Sequence, residues 1–289
     1  MEQAYDMHVH SAPDVMPRKA DDFELARRAR DAGMGGFVLK SHHVPTADRA
    51  TLVNAMIPGV TVYGALSLNN FVGGINPQAV DIAGRLGARV VWMPTVDAEN
   101  ESDKLHKKDI TKLPYWAKIQ QELAAEGHLR PPISIVTADG SLTPDVLDVL
   151  DLIRQHRMIL ATGHLSPEEI FLIVREAHRR GVERIVITHP EFPTTRLSLE
   201  QQRDLCPYGV FFERCFTTAA TGKISWEEMI EGIRQTEPAR NTLSTDLGQP
   251  KALFPDEGLA TFIDILLQHN VPALDIHQMS STNPKTLLQ

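Results

Sequence analysis

The stretch Tyr5-Asp6-Met7-His8-Val9-His10-Ser11, close to the start of the chain, decides how the rest of the sequence is interpreted. Its apolar and aromatic residues predict a β-strand, in which alternate side chains point to the same face. The imidazoles of His8 and His10 then point the same way and lie close enough to bind one metal ion. An H-x-H pair alone is weak evidence, because two histidines on a strand are more often packed or exposed than bound to metal.

Four further segments place metal-binding side chains directly after a short apolar run. They are Lys40-Ser41-His42-His43, Thr162-Gly163-His164-Leu165, Thr188-His189-Pro190 and Ser244-Thr245-Asp246-Leu247-Gly248. Imidazole and carboxylate are ligands that zinc, iron(II), manganese and cobalt prefer. The pattern therefore predicts one or two divalent transition-metal ions, with zinc favoured, bound by His8, His10, His164, His189 and Asp246.

Eight apolar, β-rich runs alternate with amphipathic helices. They cover residues 4–9, 36–41, 59–66, 88–95, 158–163, 183–188, 208–214 and 242–246. This alternation is typical of a closed (β/α)8 TIM barrel or of an open doubly wound sheet. His10 and Asp246 follow the first and eighth strands, which are neighbours in a barrel but seldom meet in an open sheet. We therefore predict one α/β domain over residues 1–289, a TIM barrel with its ligands at the carboxyl ends of the strands.

Capping residues mark the helix starts between these strands. Asp21 or Asp22, Thr46, and Asn76 before Pro77 are candidate N-caps. Capping boxes of the S-x-x-E/Q type occupy residues 166–169, 198–201 and 225–228. Each box follows a strand and its loop, which supports the alternation.

One long stretch interrupts the alternation after the fourth strand. Residues 98–143 contain a polar, helix-like piece around Tyr115–Glu126 and a hairpin signal at Asp139-Gly140. Long insertions in compact domains tend to be functional. We predict an insertion with a helix and a β-hairpin that covers the mouth of the active site; a flexible oligomer contact is the alternative.

Composition limits the partners that this protein can have. The chain is long enough to bury a sizeable core, and its net charge of −8 argues against nucleic acid. No apolar stretch reaches the length of a membrane span, no signal peptide is evident, and two cysteines are too few for a disulfide framework. We expect a cytoplasmic homo-oligomer that acts on a small-molecule substrate, with no nucleic-acid or membrane partner.

Other polar residues near the strand ends are candidates for the site. Lys40 and His42 share a face of the second strand. Facing the mouth, Lys40 would bind an anionic substrate group, support a metal ligand or bridge two metals as a carbamate. A lysine that only extends to the barrel rim is an equal alternative. Either Glu213 or Arg214 must face the mouth, and we favour Glu213. Asn69 and Asn70 would bind substrate, although turn formation explains them equally well.

With these residues in view, the chain resembles the amidohydrolase superfamily of metal-dependent barrels. That superfamily has an H-x-H on the first strand, histidines on the fifth and sixth and an aspartate on the eighth, matching the five predicted ligands. The ending 281–285 resembles its T-x-N-P helix start. The likeness is closer to single-domain branches, such as TatD-like and phosphotriesterase-like proteins, and to an amidohydrolase-related group of unassigned reaction, than to members with a flanking β-sandwich. A bridging lysine or glutamate on the fourth strand is missing, so a bridge would come from Lys40, Asp97, Glu213 or water, or the site is mononuclear.

The resemblance implies hydrolysis of an amide, lactone or other ester. The metal would lower the pKa of bound water from 15.7 to roughly 7, and Asp246 would take its proton and deliver it to the leaving group. His189 or the metal would polarise the scissile carbonyl, and Lys40 completes the predicted catalytic set. A metal-dependent decarboxylase, with Lys40 or Arg18 binding a carboxylate, and a catalytically silent metal-binding barrel are the alternatives.

Overall fold

The structure is a computed structural model that describes residues 1–105 and 115–289, and of residues 103–105 only the helical backbone. Residues 106–114 of the predicted insertion therefore lie outside the described residues. The strands are β1 Tyr5–Val9, β2 Gly36–Leu39, β3 Thr61–Tyr63, β4 Ala65–Ser67, β5 Val90–Trp92, β6 Ile159–Ala161, β7 Ile185–Ile187, β8 Phe211–Cys215 and β9 Asn241–Ser244.

These strands form a closed parallel barrel. The pairing orders are β1-β2-β3 and β4-β5-β6-β7-β8-β9, and β3 and β4 are consecutive pieces of one barrel strand interrupted at Gly64. The barrel closes between β9 and β1, where Val9 pairs in parallel with Leu247 and the Asp246 amide donates to the His8 carbonyl over 2.9 Å. The predicted TIM barrel, with its first and eighth strands adjacent, is thus confirmed.

Helices follow the strands and cover the outside of the barrel. They are α1 Asp22–Asp31, α2 Ala47–Met56, α3 Pro77–Arg85, α4 Glu99–Leu105, α5 Tyr115–Ala125, α6 Pro144–Gln155, α7 Pro167–Arg179, α8 Leu199–Leu205, α9 Phe216–Ala220, α10 Trp226–Thr236, α11 Pro255–Gln268, α12 Ala273–His277 and α13 Asn283–Leu288. Among the described residues, no helix is both long and apolar enough to cross a membrane.

Most of the predicted helix starts are confirmed. The side chains of Asp21 and Asn76 accept backbone N–H bonds at the starts of α1 and α3, and complete capping boxes open α7 and α8. At α10, Ser225 caps the helix, but the predicted box is incomplete, because the Glu228 side chain bonds to Arg196. Thr46 is the exception, because its hydroxyl bonds to the Leu39 carbonyl and the Ala65 amide. Thr46 therefore ties β2 to β4 and does not cap α2 with its side chain.

The apolar residues form an inner layer and an outer one. The barrel interior holds a cluster that includes Met7 and Trp92, to which α13 adds Leu287 and Leu288. The Asn283 side chain donates to the carbonyl of Asn241, the first residue of β9, over 2.7 Å. The C-terminal helix is thereby fixed at the amino-terminal end of the barrel, opposite the end that carries Asp246.

The insertion after β5 differs in part from the prediction. It contains two described helices, α4 and α5, where one was predicted, and the hairpin is reduced to a bridge between Val136 and Leu142 around the turn at Asp139-Gly140. Gln120 of α5 donates to the Val96 carbonyl and to Asp97, so that α5 is held against the loop after β5.

Candidate metal centre

A β-bulge on β1 aims the H-x-H pair. Asp6 pairs with Phe37 and Val9 pairs with Leu39, so that Met7 and His8 together oppose the single residue Val38. Because of this extra residue, Met7 packs into the barrel interior and its neighbour His8 also faces inward. Bulges commonly re-aim side chains beside active sites. Simple strand alternation predicts His8 and His10 on one face, but it does not predict Met7 beside them.

His8, His10 and Asp246 converge at the junction of β1 and β9. Asp246 Oδ1 lies 3.1 Å from His8 Nε2 and 3.2 Å from His10 Nε2. Ligand atoms that surround one ion at 2.0–2.2 Å lie about 3 to 3.5 Å from each other, so this donor set fits a transition metal such as zinc. The three residues form the tightest predicted corner of the site.

The Glu213 carboxylate contacts the Nδ1 side of the His8 ring. Its Oε2 atom lies 3.2 Å from His8 Nδ1, whereas the neighbouring Arg214 side chain contacts Glu191 and Asn241 outside the barrel wall. Glu213 is therefore the member of this pair that faces inward, as favoured from the sequence. By accepting the Nδ1 proton, the carboxylate keeps the Nε2 lone pair of His8 available to a metal.

Lys40 lies inside this corner. Its Nζ atom is 2.8 Å from His8 Nε2 and 4.9 Å from the centre of the Trp92 ring. Burial lowers the pKa of the Lys40 ammonium below its ordinary value, although Asp246 and Glu213 oppose that shift. Lys40 is thus part of the site and not a lysine that extends to the rim.

The other predicted histidines continue the cluster across the mouth. Ring centres are 5.0 Å apart for His10 and His42, 6.2 Å for His42 and His164, and 5.1 Å for His164 and His189. The ring of His8 is 6.2 Å from that of His189. The five imidazoles therefore form a continuous group at the carboxyl ends of the strands.

Burial favours the neutral form of three of these imidazoles. It lowers the pKa of His10 to about 3, with help from the Arg18 charge, and lowers the pKa values of His42 and His189 well below the ordinary value. At His8, burial and Lys40 would lower the pKa, but the Asp246 and Glu213 carboxylates outweigh them and raise that pKa above its ordinary value. Burial would raise the pKa of Asp246, but His8 and His10 outweigh it and hold that pKa well below its usual range. Neutral imidazole and ionised carboxylate are the forms that bind metals.

The backbone is strained where the ligands project. His189 has φ +27° and Asp246 has φ +55°, a left-handed conformation that is costly for residues with a side chain. Near Asp246, Gly248 has φ +138°, and a Cβ there would lie 2.0 Å from the His10 carbonyl oxygen. Such strain concentrates at functional sites, and here it coincides with two predicted ligands.

Three predicted site residues have structural contacts away from the ligand cluster. Asn69 is fully buried, donates to the His42 carbonyl and to Thr95 Oγ1, and accepts from the Thr95 amide. The backbone N–H of Asn70 donates to the Asp97 carboxylate over 2.8 Å. Both line a smaller cavity beside α5, away from the ligand cluster, so the substrate contact of Asn70 and the ligand role of Asp97 stay predictions.

Asn69 acts on the site only indirectly. Thr95 Oγ1 lies 2.9 Å from His42 Nδ1, so the Asn69–Thr95 pair orients the His42 ring. In this structure Asn69 supports His42 through Thr95, and its substrate contact stays a prediction.

Of three further residues that contact the ligands, sequence reasoning missed two, Thr217 and Glu101, and named the third, Arg18, in another role. Thr217 Oγ1 donates to Asp246 Oδ2 over 3.1 Å, and Glu101 Oε2 lies 3.2 Å from His164 Nδ1. Arg18, considered only for a decarboxylase, has Nη2 at 3.3 Å from His10 Nδ1 while it pairs with Asp14. All three come from loops or short helices without a motif, so no sequence signal distinguished them.

The contact with the Arg18 guanidinium determines which ring nitrogen of His10 carries the proton. Because a guanidinium only donates, it favours the His10 tautomer with its proton on Nε2, which donates to Asp246. A metal held at Nε2 would therefore require the other tautomer, with the proton on Nδ1 and the Arg18 guanidinium no longer donating to that atom.

Comparison with known proteins places the chain in a family. The sequence model of DUF6282, a family of unknown function, matches residues 3–213. The chain belongs to this family. The DUF6282 match contains every predicted ligand except Asp246, which lies beyond its end. No curated protein matches the sequence.

Several solved structures share the fold of this chain at low sequence identity. An amidohydrolase from Pseudomonas aeruginosa is similar with a TM-score of 0.65 and 11% identity, over 99% of this chain and 95% of that one. A dipeptidase described as a metallopeptidase has a TM-score of 0.60 and 13% identity, over 99% and 98% of the two chains. An amidohydrolase from Burkholderia multivorans has a TM-score of 0.57 and 10% identity, over 99% and 98%. The predicted likeness to amidohydrolase barrels is thus confirmed for the fold.

Proposed function

We propose that this DUF6282 protein is a metal-dependent hydrolase that cleaves an amide, lactone or other ester bond of a small molecule, with zinc as the favoured metal. The observation that carries the proposal is the convergence of His8, His10 and Asp246, with Asp246 Oδ1 3.1 and 3.2 Å from the two Nε2 atoms. The hydrolase names of structures that share the fold support it. The same names do not favour the decarboxylase alternative.

The cavity over the ligands has the size of a small-molecule site. It encloses about 940 Å³, and its polar lining includes His10, Lys40, His42, His164, His189 and Asp246. Aromatic side chains complete the wall, among them Trp116 of the insertion, Phe192 and Phe216. Ligand pockets typically combine such an apolar wall with a few convergent polar groups.

The charges around the cavity favour an anionic substrate. Among the described lining residues, the cations are Arg18, Lys40, Lys223 and Lys251, and the carboxylates are Glu101 and Asp246. Both carboxylates lie next to histidines, so their charge is directed to the ligand cluster. We therefore propose a substrate with a carboxylate or a similar anionic group.

The residues of the site would have separate roles in metal binding, proton transfer and charge stabilisation. His8, His10 and Asp246 would hold one ion, and His164 and His189 would hold a second ion or contact the substrate. When bound, the metal would supply Lewis-acid activation of water and of the scissile carbonyl. Asp246, ionised and oriented by Thr217, is placed to accept the proton of the attacking water and to return it to the leaving group. Lys40 and His189 face the same space and stabilise negative charge on the carbonyl oxygen.

Metal analysis and turnover together test the proposal. Purified protein should contain about one to two equivalents of a transition metal. The His8→Ala, His10→Ala double variant should lose most of it, whereas the control His128→Ala, His277→Ala changes two exposed imidazoles and should retain it. The zinc-loaded protein should hydrolyse members of a panel of lactones, aryl esters and N-acyl amino acids, and a chelator should stop this turnover.

Two results would contradict the proposal. Metal retained at wild-type stoichiometry in the His8→Ala, His10→Ala variant would remove the proposed ligands. Stoichiometric metal without hydrolysis of any panel member would instead support the catalytically silent barrel.

A further inference from the structure

The first turn of α4 is fixed to the loops that carry two of the histidines. The Asn100 side chain donates to the carbonyls of His164 and Thr194, over 2.9 Å in each case. His164 follows β6, and Thr194 lies in the loop after β7. One amide group therefore links the insertion to the ends of two adjacent barrel strands.

This link places the next residue, Glu101, inside the site. Glu101 is only 3% exposed and lines the large cavity, and its Oε2 atom lies 3.2 Å from His164 Nδ1. His164 Nδ1 is buried and has no hydrogen-bond partner among the described residues. A buried ring nitrogen without a partner is costly, and the Glu101 carboxylate oxygen at 3.2 Å is within reach of an N–H···O bond.

We propose that Glu101 is a positioning residue for His164. Its carboxylate accepts the Nδ1 proton, which holds the ring in the tautomer whose Nε2 lone pair is free to bind a metal. Glu213 stands in the same relation to His8, with 3.2 Å between Oε2 and Nδ1. The two corners of the site would thus each contain a histidine oriented by a buried carboxylate.

The proposal gives the insertion a chemical role. Because Glu101 belongs to α4, the insertion would supply part of the ligand environment. The effect on metal binding rests on the proposed function, but the tautomer of His164 does not, since it is a property of the metal-free protein.

The tautomer can be measured directly. Long-range ¹H–¹⁵N correlation spectra of metal-free, ¹⁵N-histidine-labelled protein distinguish the Nδ1–H from the Nε2–H form, and a His164→Gln variant assigns the signals. We expect Nδ1–H in the wild type and a loss of this preference in Glu101→Ala. An Nε2–H tautomer of His164 in the wild type would overturn the proposal.

Zinc affinity, measured by competition with a chromophoric chelator, gives a second test that does not depend on the assignment. Loss of a residue that orients a ligand typically weakens metal binding by about 10–100-fold, which we expect for Glu101→Ala. Glu101→Gln keeps the shape and an acceptor oxygen but not the charge, so its loss should be smaller but measurable. The matched control is Glu99→Gln, an exposed position on the same helix, which should bind zinc like the wild type.

The outcomes separate the two proposals. Equal zinc affinity for Glu101→Ala and Glu99→Gln would refute the positioning role while leaving the hydrolase proposal intact. If the wild type binds no zinc, the proposed function fails, and the tautomer measurement alone still decides the role of Glu101.

Discussion

Glu213 and His8 belong to strands that are not neighbours, since β9 lies between β8 and β1, yet Glu213 Oε2 lies 3.2 Å from His8 Nδ1. The two side chains meet inside the barrel, past β9, and both are almost completely buried. A carboxylate so placed can hold the imidazole in a single tautomer.

Glu213→Gln should therefore weaken zinc binding without unfolding the protein. Glutamine preserves the size of the side chain but accepts the Nδ1 proton less strongly, and the expected loss is about 10–100-fold in zinc affinity. Chelator competition measures this loss, with Glu183→Gln at an exposed position before β7 as the control. Unchanged affinity in Glu213→Gln would show that His8 needs no such support.

Gly248 should tolerate no side chain. Its φ is +138°, and a Cβ at this position would lie 2.0 Å from the His10 carbonyl oxygen, so Gly248→Ala must move the backbone of a ligand. We expect destabilisation by more than about 2 kcal/mol in denaturant unfolding, and weaker zinc binding. Gly127→Ala is the matched control, because Gly127 also has a positive φ, +75°, but nothing within 4 Å of its Cβ position. Similar losses in both variants would mean that φ alone, and not the contact with His10, sets the cost.

A buried ion pair should stabilise the entrance of the barrel. Arg49 of α2 donates to both carboxylate oxygens of Asp22 at the start of α1, over 2.8 and 2.6 Å. Arg49→Met removes one partner and leaves a carboxylate that is 6% exposed, so we expect a loss of about 3 kcal/mol in the free energy of unfolding. Arg85→Met breaks a pair with Asp81 whose arginine is 65% exposed, and it should change stability too little to measure. A stable Arg49→Met variant would show that water replaces the arginine at Asp22.

The fold was predictable because its signals repeat. Each strand is an apolar run followed by a capped helix, and the position of Asp246 on the eighth strand argued for closure. The bulge on β1 was not predictable, because the pairing of Met7 and His8 against Val38 arises from the register with β2 and leaves no mark in the local sequence.

The site was predictable only where a residue stands directly at a strand end. His8, His10, His42, His164 and His189 have this position, and the structure brings their rings together. Asn69 and Asp97 have a similar position, but their side chains are used by neighbouring loops. Glu101 lies in a polar helix, where the sequence does not show which face meets the barrel, so only the tertiary contact of Asn100 reveals its direction.

Asp246→Asn should separate metal binding from turnover. The asparagine side chain would keep the shape and one oxygen ligand beside His8 and His10, so most of the metal should remain, but an amide cannot accept a proton from water. General acid–base assistance typically contributes about 10²–10⁴-fold, and we expect kcat to fall by at least that range. Elemental analysis and steady-state kinetics on the same preparation measure the two effects, with Asp264→Asn at an exposed position of α11 as the control. If the variant binds metal normally and turns over at nearly the wild-type rate, Asp246 is a ligand only. The proton must then be carried by another group at the mouth, such as Lys40, whose Nζ lies 2.8 Å from His8 Nε2.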